Sequence, residues 1–147
     1  SPARIILDNH LKISLNSNVI KDSFKYETII LYNKDDKKKI KLLNKLRVKT
    51  CKIPTNNEGN LDLKKALIKV QKLGFSRVFI ESGIKLTRNF LKENLVNDLK
   101  IFLSSKKLDK NGDGNIKKYF NALLKKKKCL IEKVNLFDEK LITYKMK

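Results

Sequence analysis

Glu81-Ser82-Gly83 is the place in this sequence where chemistry is easiest to locate. The apolar run Val78 to Ile80 stops there, and an amphipathic helical pattern carrying Leu86, Phe90 and Leu91 follows at once. A tight strand-to-helix turn with a glycine gathers unpaired backbone N–H groups and the positive end of a helix dipole at one point, which suits an anionic ligand. An ordinary strand-to-helix connection would use the same residues. A single glycine falls short of the G-x-G-x-x-G fingerprint, and no G-x-x-x-x-G-K-[ST] loop is present.

Asp8-Asn9-His10-Leu11-Lys12 is the second candidate. It follows the apolar run Ile5-Ile6-Leu7 at its C-terminal end, the edge at which open α/β sheets bind ligands. Lys12 could meet a phosphate there and Asn9 could hydrogen-bond a ribose, although a plain polar turn has the same composition. Asp109-Lys-Asn-Gly-Asp-Gly-Asn-Ile116 imitates the first half of a calcium loop. The twelfth position of such a loop needs a bidentate acid, and Phe120 stands there, so a turn rich in glycine and asparagine is expected instead.

Other chemistries are poorly supplied. His10 is the one histidine, which removes multi-histidine metal sites and leaves any Ser-His-Asp or Cys-His nucleophile dependent on a single loop residue. Cys51 and Cys129 stand alone in separate strand-like segments and read as reduced thiols of a cytoplasmic protein. No metal site is expected.

The elements that must hold these residues alternate in type. Strands are expected at Ile5–Leu7, Thr28–Tyr32, Val48–Ile53, Arg77–Ile80 and 98–104, with a closing hairpin of Leu130–Val134 and Leu141–Tyr144. Helical spacing covers 37–46, with Ile40, Leu42, Leu43 and Leu46, and a second helix carries Leu63, Ala66, Leu67 and Val70 up to Gly74. Further helices are expected over 84–95 and around Ile116–Leu124. Such alternation predicts an α/β fold, a mixed and mainly parallel sheet flanked by helices, with the hairpin adding antiparallel strands. At 147 residues the chain reads as one domain.

The formal charge of +20 invites a nucleic-acid reading. Of the 35 basic residues, however, only Arg4, Arg47, Arg77 and Arg88 are arginines, and the lysines are spread along the whole chain. Dedicated nucleic-acid readers lean on arginine for bidentate contacts. The runs Lys37–Lys39 and Lys125–Lys128 fit a solvated surface and a helix C-terminal end. No apolar run approaches the ~20 residues that span a membrane, and no signal-peptide pattern opens the chain. With Met146 its one methionine, the chain reads as a piece of something longer.

Taken in order, these motifs resemble the C-terminal reductase domain of the bifunctional riboflavin-biosynthesis deaminase/reductase, whose fold is dihydrofolate-reductase-like. The residues that carry the resemblance are Pro2-Ala-Arg-Ile-Ile-Leu-Asp8, Leu61-Asp62-Leu63, Val78-Phe-Ile-Glu-Ser-Gly83 with Leu86 and Phe90, Leu95-Val-Asn-Asp-Leu99, and Val134-Asn-Leu-Phe-Asp138. The resemblance implies an NADPH-dependent reduction of the ribosyl group of a phosphorylated ribosylaminopyrimidine, 5-amino-6-(5-phosphoribosylamino)uracil, to ribityl.

By the same resemblance Glu81 lies beside substrate and nicotinamide. Ser82, Gly83, Ile84 and Lys85 present the turn to the cofactor diphosphate, and Asp8 and Asn9 lie near its adenosine end. Leu86, Phe90 and Leu91 are expected in the core. Ser82 departs from the family, which usually has a second glycine there. The family's domain also begins upstream of the position matching Ser1, so its first strand and helix are expected before this chain, with a zinc deaminase domain further upstream. A homodimer is a further expectation. Two rivals remain at this stage, a basic α/β nucleic-acid-binding module and a non-catalytic interaction domain.

Overall fold

In a computed structural model of the chain, residues 2–104, 120, 123–125, 127–134 and 139–147 are described. The chain divides into two compact units, Ser1–Val78 and Phe79–Lys147. The expected loop 109–115, with its calcium-like pattern, and most of the helix expected from Ile116 lie outside the described residues.

The first unit is built on a parallel sheet of β1 (Arg4–Leu7), β2 (Thr28–Tyr32) and β3 (Lys49–Lys52), with β2 in the centre. Ile5 is in register with Ile29, and Ile29 with Lys49. Every residue of β2 is buried, which explains its unbroken apolar character: a strand covered on both faces has no reason to alternate. Ile30 and Tyr32 pack with Ile20 of α1 (Asn18–Lys21) and Leu43 of α2 (Lys37–Lys45). Ile29 and Leu31 pack against Ala66 and Val70 of α3 (Leu63–Lys72) on the opposite face. The crossovers that advance the sheet from β1 to β2 to β3 thus place α1 and α2 on one face, as parallel connections of one hand require.

Both longer helices of this unit begin with a carboxylate cap. Asp36 accepts from Lys39 N and Asp62 from Lys65 N, each at 2.9 Å. Gly74, with φ +97°, follows α3 in the left-handed conformation that ends helices, as its sequence position suggested. Arg4 closes the other end of the sheet. Its guanidinium donates to Val19 O, Tyr26 O and Thr28 Oγ1, and it lies 5.1 Å from the centroid of the Tyr26 ring.

The second unit carries α4 (Ile84–Lys92) and an antiparallel sheet of β4 (Asp98–Leu103), β5 (Cys129–Lys133) and β6 (Lys140–Lys145) in the order β4-β6-β5. The strand at 98–104 and the closing hairpin are therefore found where the sequence placed them. Phe90 and Leu91 are buried as expected, and Leu91 packs with Phe120 and Met146.

One expectation is corrected. Arg77–Ile80 does not form a strand: residues 75–83 have neither helix nor strand structure, and Val78 and Phe79 are exposed. Among the described residues no strand pairs with this run. Apolar β-branched composition fits a sheet surface but does not supply the neighbouring ladder that a strand needs.

Candidate active site

The carboxyl edge of the parallel sheet gathers three turns. After β1 the chain turns at Asp8, whose carboxylate binds two backbone amides of its own turn: Oδ1 accepts from Lys12 N at 2.9 Å and Oδ2 from Ile13 N at 2.7 Å. These bonds hold Leu11 at φ +53°, a strained conformation for a branched side chain, and the Leu11 side chain is buried in the core. Asp8 is therefore the brace of its own turn.

Asn9 ties this turn to two others. Its carbonyl oxygen accepts from Asn33 N at 3.1 Å and from Lys34 N at 2.9 Å, and its Nδ2 donates to Gly59 O at 2.9 Å. Asn33, just after β2, donates from Nδ2 to Ile53 O at 2.8 Å. The loop 54–62 keeps its own shape. Asn56 Oδ1 accepts from Glu58 N and Asn60 N, Thr55 bridges to Leu61, and Gly59 takes φ +74°. The sequence reading missed Asn33, Asn56 and Gly59. Their signal was an asparagine directly after a strand and an Asn-Asn-Glu-Gly turn, but neither shows in sequence what it will bind.

Tyr32, Asp35 and Lys52 lie together at the same edge. Lys52 Nζ pairs with the Asp35 carboxylate, and this bond pushes the lysine above its ordinary value. Burial, then the neighbouring Asp35 charge, raises Tyr32. Both groups bind their protons more tightly in the folded chain. Their contribution is complete below the unfolded values of 10.0 and 10.5 and is lost as pH rises through the raised folded ones. We expect the stability difference between wild type and Asp35→Asn, read as urea midpoints, to stay constant from neutral pH to about pH 9 and to shrink above pH 10. A gap that stays constant to pH 11 would show that the pair contributes nothing.

In the second unit, α4 opens differently from α2 and α3. Its N-cap is Gly83, at φ −64° and ψ 166°, and no side chain caps its first amides. A Cβ placed on Gly83 would meet nothing within 4 Å. Ser82 Oγ lies 2.9 Å from Thr87 Oγ1, which is also 3.3 Å from the carbonyl oxygens of Ser82 and Gly83. Glu81, Gly83 and Lys85 are exposed, while Ser82 and Ile84 are half-buried. Asp8 and Asn9 stand together in the first unit, and Glu81 to Lys85 stand together in the second.

Residues 1–142 match the RibD C-terminal domain family. The chain belongs to that family. This is the family that Pro2–Asp8, Leu61–Leu63 and Val78–Gly83 resemble. A curated relative, riboflavin biosynthesis protein RibD of Actinobacillus pleuropneumoniae, is 26% identical over 105 residues, covering 71% of this chain and 28% of the relative. The chain thus spans well under a third of that relative's length. Two solved structures share the fold. Acinetobacter baumannii RibD superposes with a TM-score of 0.66 at 16% identity, over 98% of this chain and 37% of that one. A pyrimidine reductase-like protein from Corynebacterium diphtheriae gives 0.70 at 15% identity, over 98% and 60%. The RibD-type fold accommodates both the parallel and the antiparallel sheet of this family member.

Proposed function

We propose that residues 1–147 serve as the reductase domain of a riboflavin-biosynthesis enzyme, reducing the ribosyl group of 5-amino-6-(5-phosphoribosylamino)uracil to ribityl with NADPH. The observation that carries this reading is the family match over residues 1–142. The start of α4 supports it. Among the described residues, α2 and α3 cap their first amides with aspartate, whereas no side chain caps those of α4, and a Cβ on Gly83 would meet nothing within 4 Å. An anionic diphosphate fits a helix end of that kind.

In this reading Gly83, Ile84 and Lys85 offer backbone amides and one ammonium group to the cofactor diphosphate, and NADPH when bound supplies the hydride. Ser82, tied to Thr87, fixes the entry of the turn, and the exposed Glu81 carboxylate faces the reacting sugar. Asp8 and Asn9 shape the turns that border the adenosine end. We further propose an upstream zinc deaminase domain in the full-length protein, pairing into a homodimer, and a cytoplasmic location. Among the described residues no helix is long and apolar enough to cross a membrane.

The test is thermal stabilisation of the full-length protein. A ligand that binds only the folded state stabilises it by about 2.7 kcal/mol at a hundred times its Kd. NADPH is expected to raise the melting temperature progressively with concentration, and NADH to do so less at equal concentration. Equal, negligible responses to both would overturn the reading. Binding to nucleic acid that collapses with salt, with no nucleotide preference, would replace it with a polyanion-binding module.

A further inference from the structure

We propose that Asn9 is a positioning residue, a latch that sets where the loop 54–62 stands at the carboxyl edge of the parallel sheet, and that it acts on the nucleotide through that loop rather than by touching it. The inference rests on the reductase reading above, in which this edge borders the adenosine end of the cofactor.

The loop's shape and its position have different causes. Its shape is internal. Asn56 N donates to Asn60 O at 2.7 Å, Asn56 Oδ1 accepts from Glu58 N and Asn60 N, Asp62 N donates to Pro54 O at 2.9 Å, and Gly59 supplies the positive φ. Its position against the β1 turn is set across fifty residues of sequence by the bond from Asn9 Nδ2 to Gly59 O. The same residue's backbone carbonyl binds Asn33 N and Lys34 N, which fixes the β2–α2 turn. One residue thus joins the turns that follow β1, β2 and β3.

The chemistry of the side chain suits this role. An amide can donate to a carbonyl, whereas an aspartate of the same size would turn a carboxylate oxygen toward Gly59 O and repel it. One of the two N–H donors of the Asn9 amide is engaged on Gly59 O, and it is this bond, not the second N–H, that the latch requires. The loss of one positioning bond corresponds to about a tenfold change in ligand affinity.

The experiment uses the full-length protein and the variants Asn9→Ala and Asn9→Asp. Two readouts are needed: backbone ¹⁵N order parameters at Glu58, Gly59 and Asn60, and NADPH Kd and kcat. Both variants are expected to lower the order parameters of those three residues and to raise the NADPH Kd about tenfold, with kcat at saturating NADPH kept within about twofold. Amide signals of β1–β3 should stay in place, which separates loosening from unfolding. A higher Kd without added loop motion would show direct contact with the ligand and overturn the latch. Added loop motion with unchanged Kd would overturn its link to the site while leaving the reductase reading intact. Failure of the wild type to bind NADPH would be seen before any variant is made, and would remove both.

Discussion

Leu31→Ala is expected to destabilise the first unit by about 3–4 kcal/mol, the range found when a leucine is truncated inside a rigid core. Leu31 is fully buried in the central strand, walled by β1 and β3 on either side and facing Ile53, Leu61, Ala66 and Val70. Strands hydrogen-bonded on both edges cannot slide inward to fill the space left by three heavy atoms, so most of the cavity should persist. Against a typical total stability of about 5–15 kcal/mol, such a loss leaves a small margin. Ile30→Ala, which opens the opposite face toward Leu43 and Ile20, should cost a similar amount. Amide exchange at β1–β3 in increasing urea reads the loss within the unit itself, avoiding the assumption that the two units unfold together. A loss under about 1 kcal/mol would mean that the layers collapse onto the cavity and that the sheet is far less rigid than its pairing suggests.

Glu81→Gln is expected to lower the kcat of the proposed reduction by about a hundredfold, at the lower end of what a positioned acid or base contributes. Glutamine keeps the length and hydrogen-bonding ability of the side chain but can neither carry the charge nor exchange a proton. Because Glu81 is exposed, the substitution should change stability by no more than about 0.5 kcal/mol, so a loss of rate could not be ascribed to unfolding. The NADPH Kd should be nearly unchanged, since the cofactor diphosphate is assigned to Gly83, Ile84 and Lys85. Steady-state kinetics of the full-length protein with saturating NADPH provide the check. A kcat within twofold of wild type would remove Glu81 from the chemistry and leave the α4 turn as a cofactor site only.

The sheet elements were legible because each carries a local signal strong enough to survive without context. Thr28–Tyr32 is a continuous apolar run, and such a run makes sense only in a strand covered on both faces. Gly74 after Leu73 marks the end of α3 by a left-handed turn that is purely local. The hairpin of β5 and β6 was readable for the same reason. The segment 77–80 was not, because its apolar character reports what it could pack against rather than whether a neighbouring strand is present. Short α1 carried no periodic signal at four residues.

At the candidate site the sequence names the turns but does not show which hydrogen bonds their side chains make within the fold. Asp8 and Asn9, expected near the adenosine end of the cofactor, also make hydrogen bonds that build the sheet edge. An aspartate that braces a turn and one that binds a ribose look identical in a sequence. The difference lies in amides four and five residues away, and, for Asn9, in a carbonyl fifty residues away.

The strand order of the antiparallel sheet has a consequence for synthesis. β6 lies between β4 and β5, so neither of those strands has its partner until residues 140–145 have left the ribosome. The first unit, whose strands pair in the order they are made, can fold while translation continues. The second must wait with two unpaired strands, one of them bearing the exposed Leu130 and Ile131. A stalled or prematurely terminated chain would therefore present a finished first unit joined to two aggregation-prone edges, which is the kind of product that chaperones and proteases recognise.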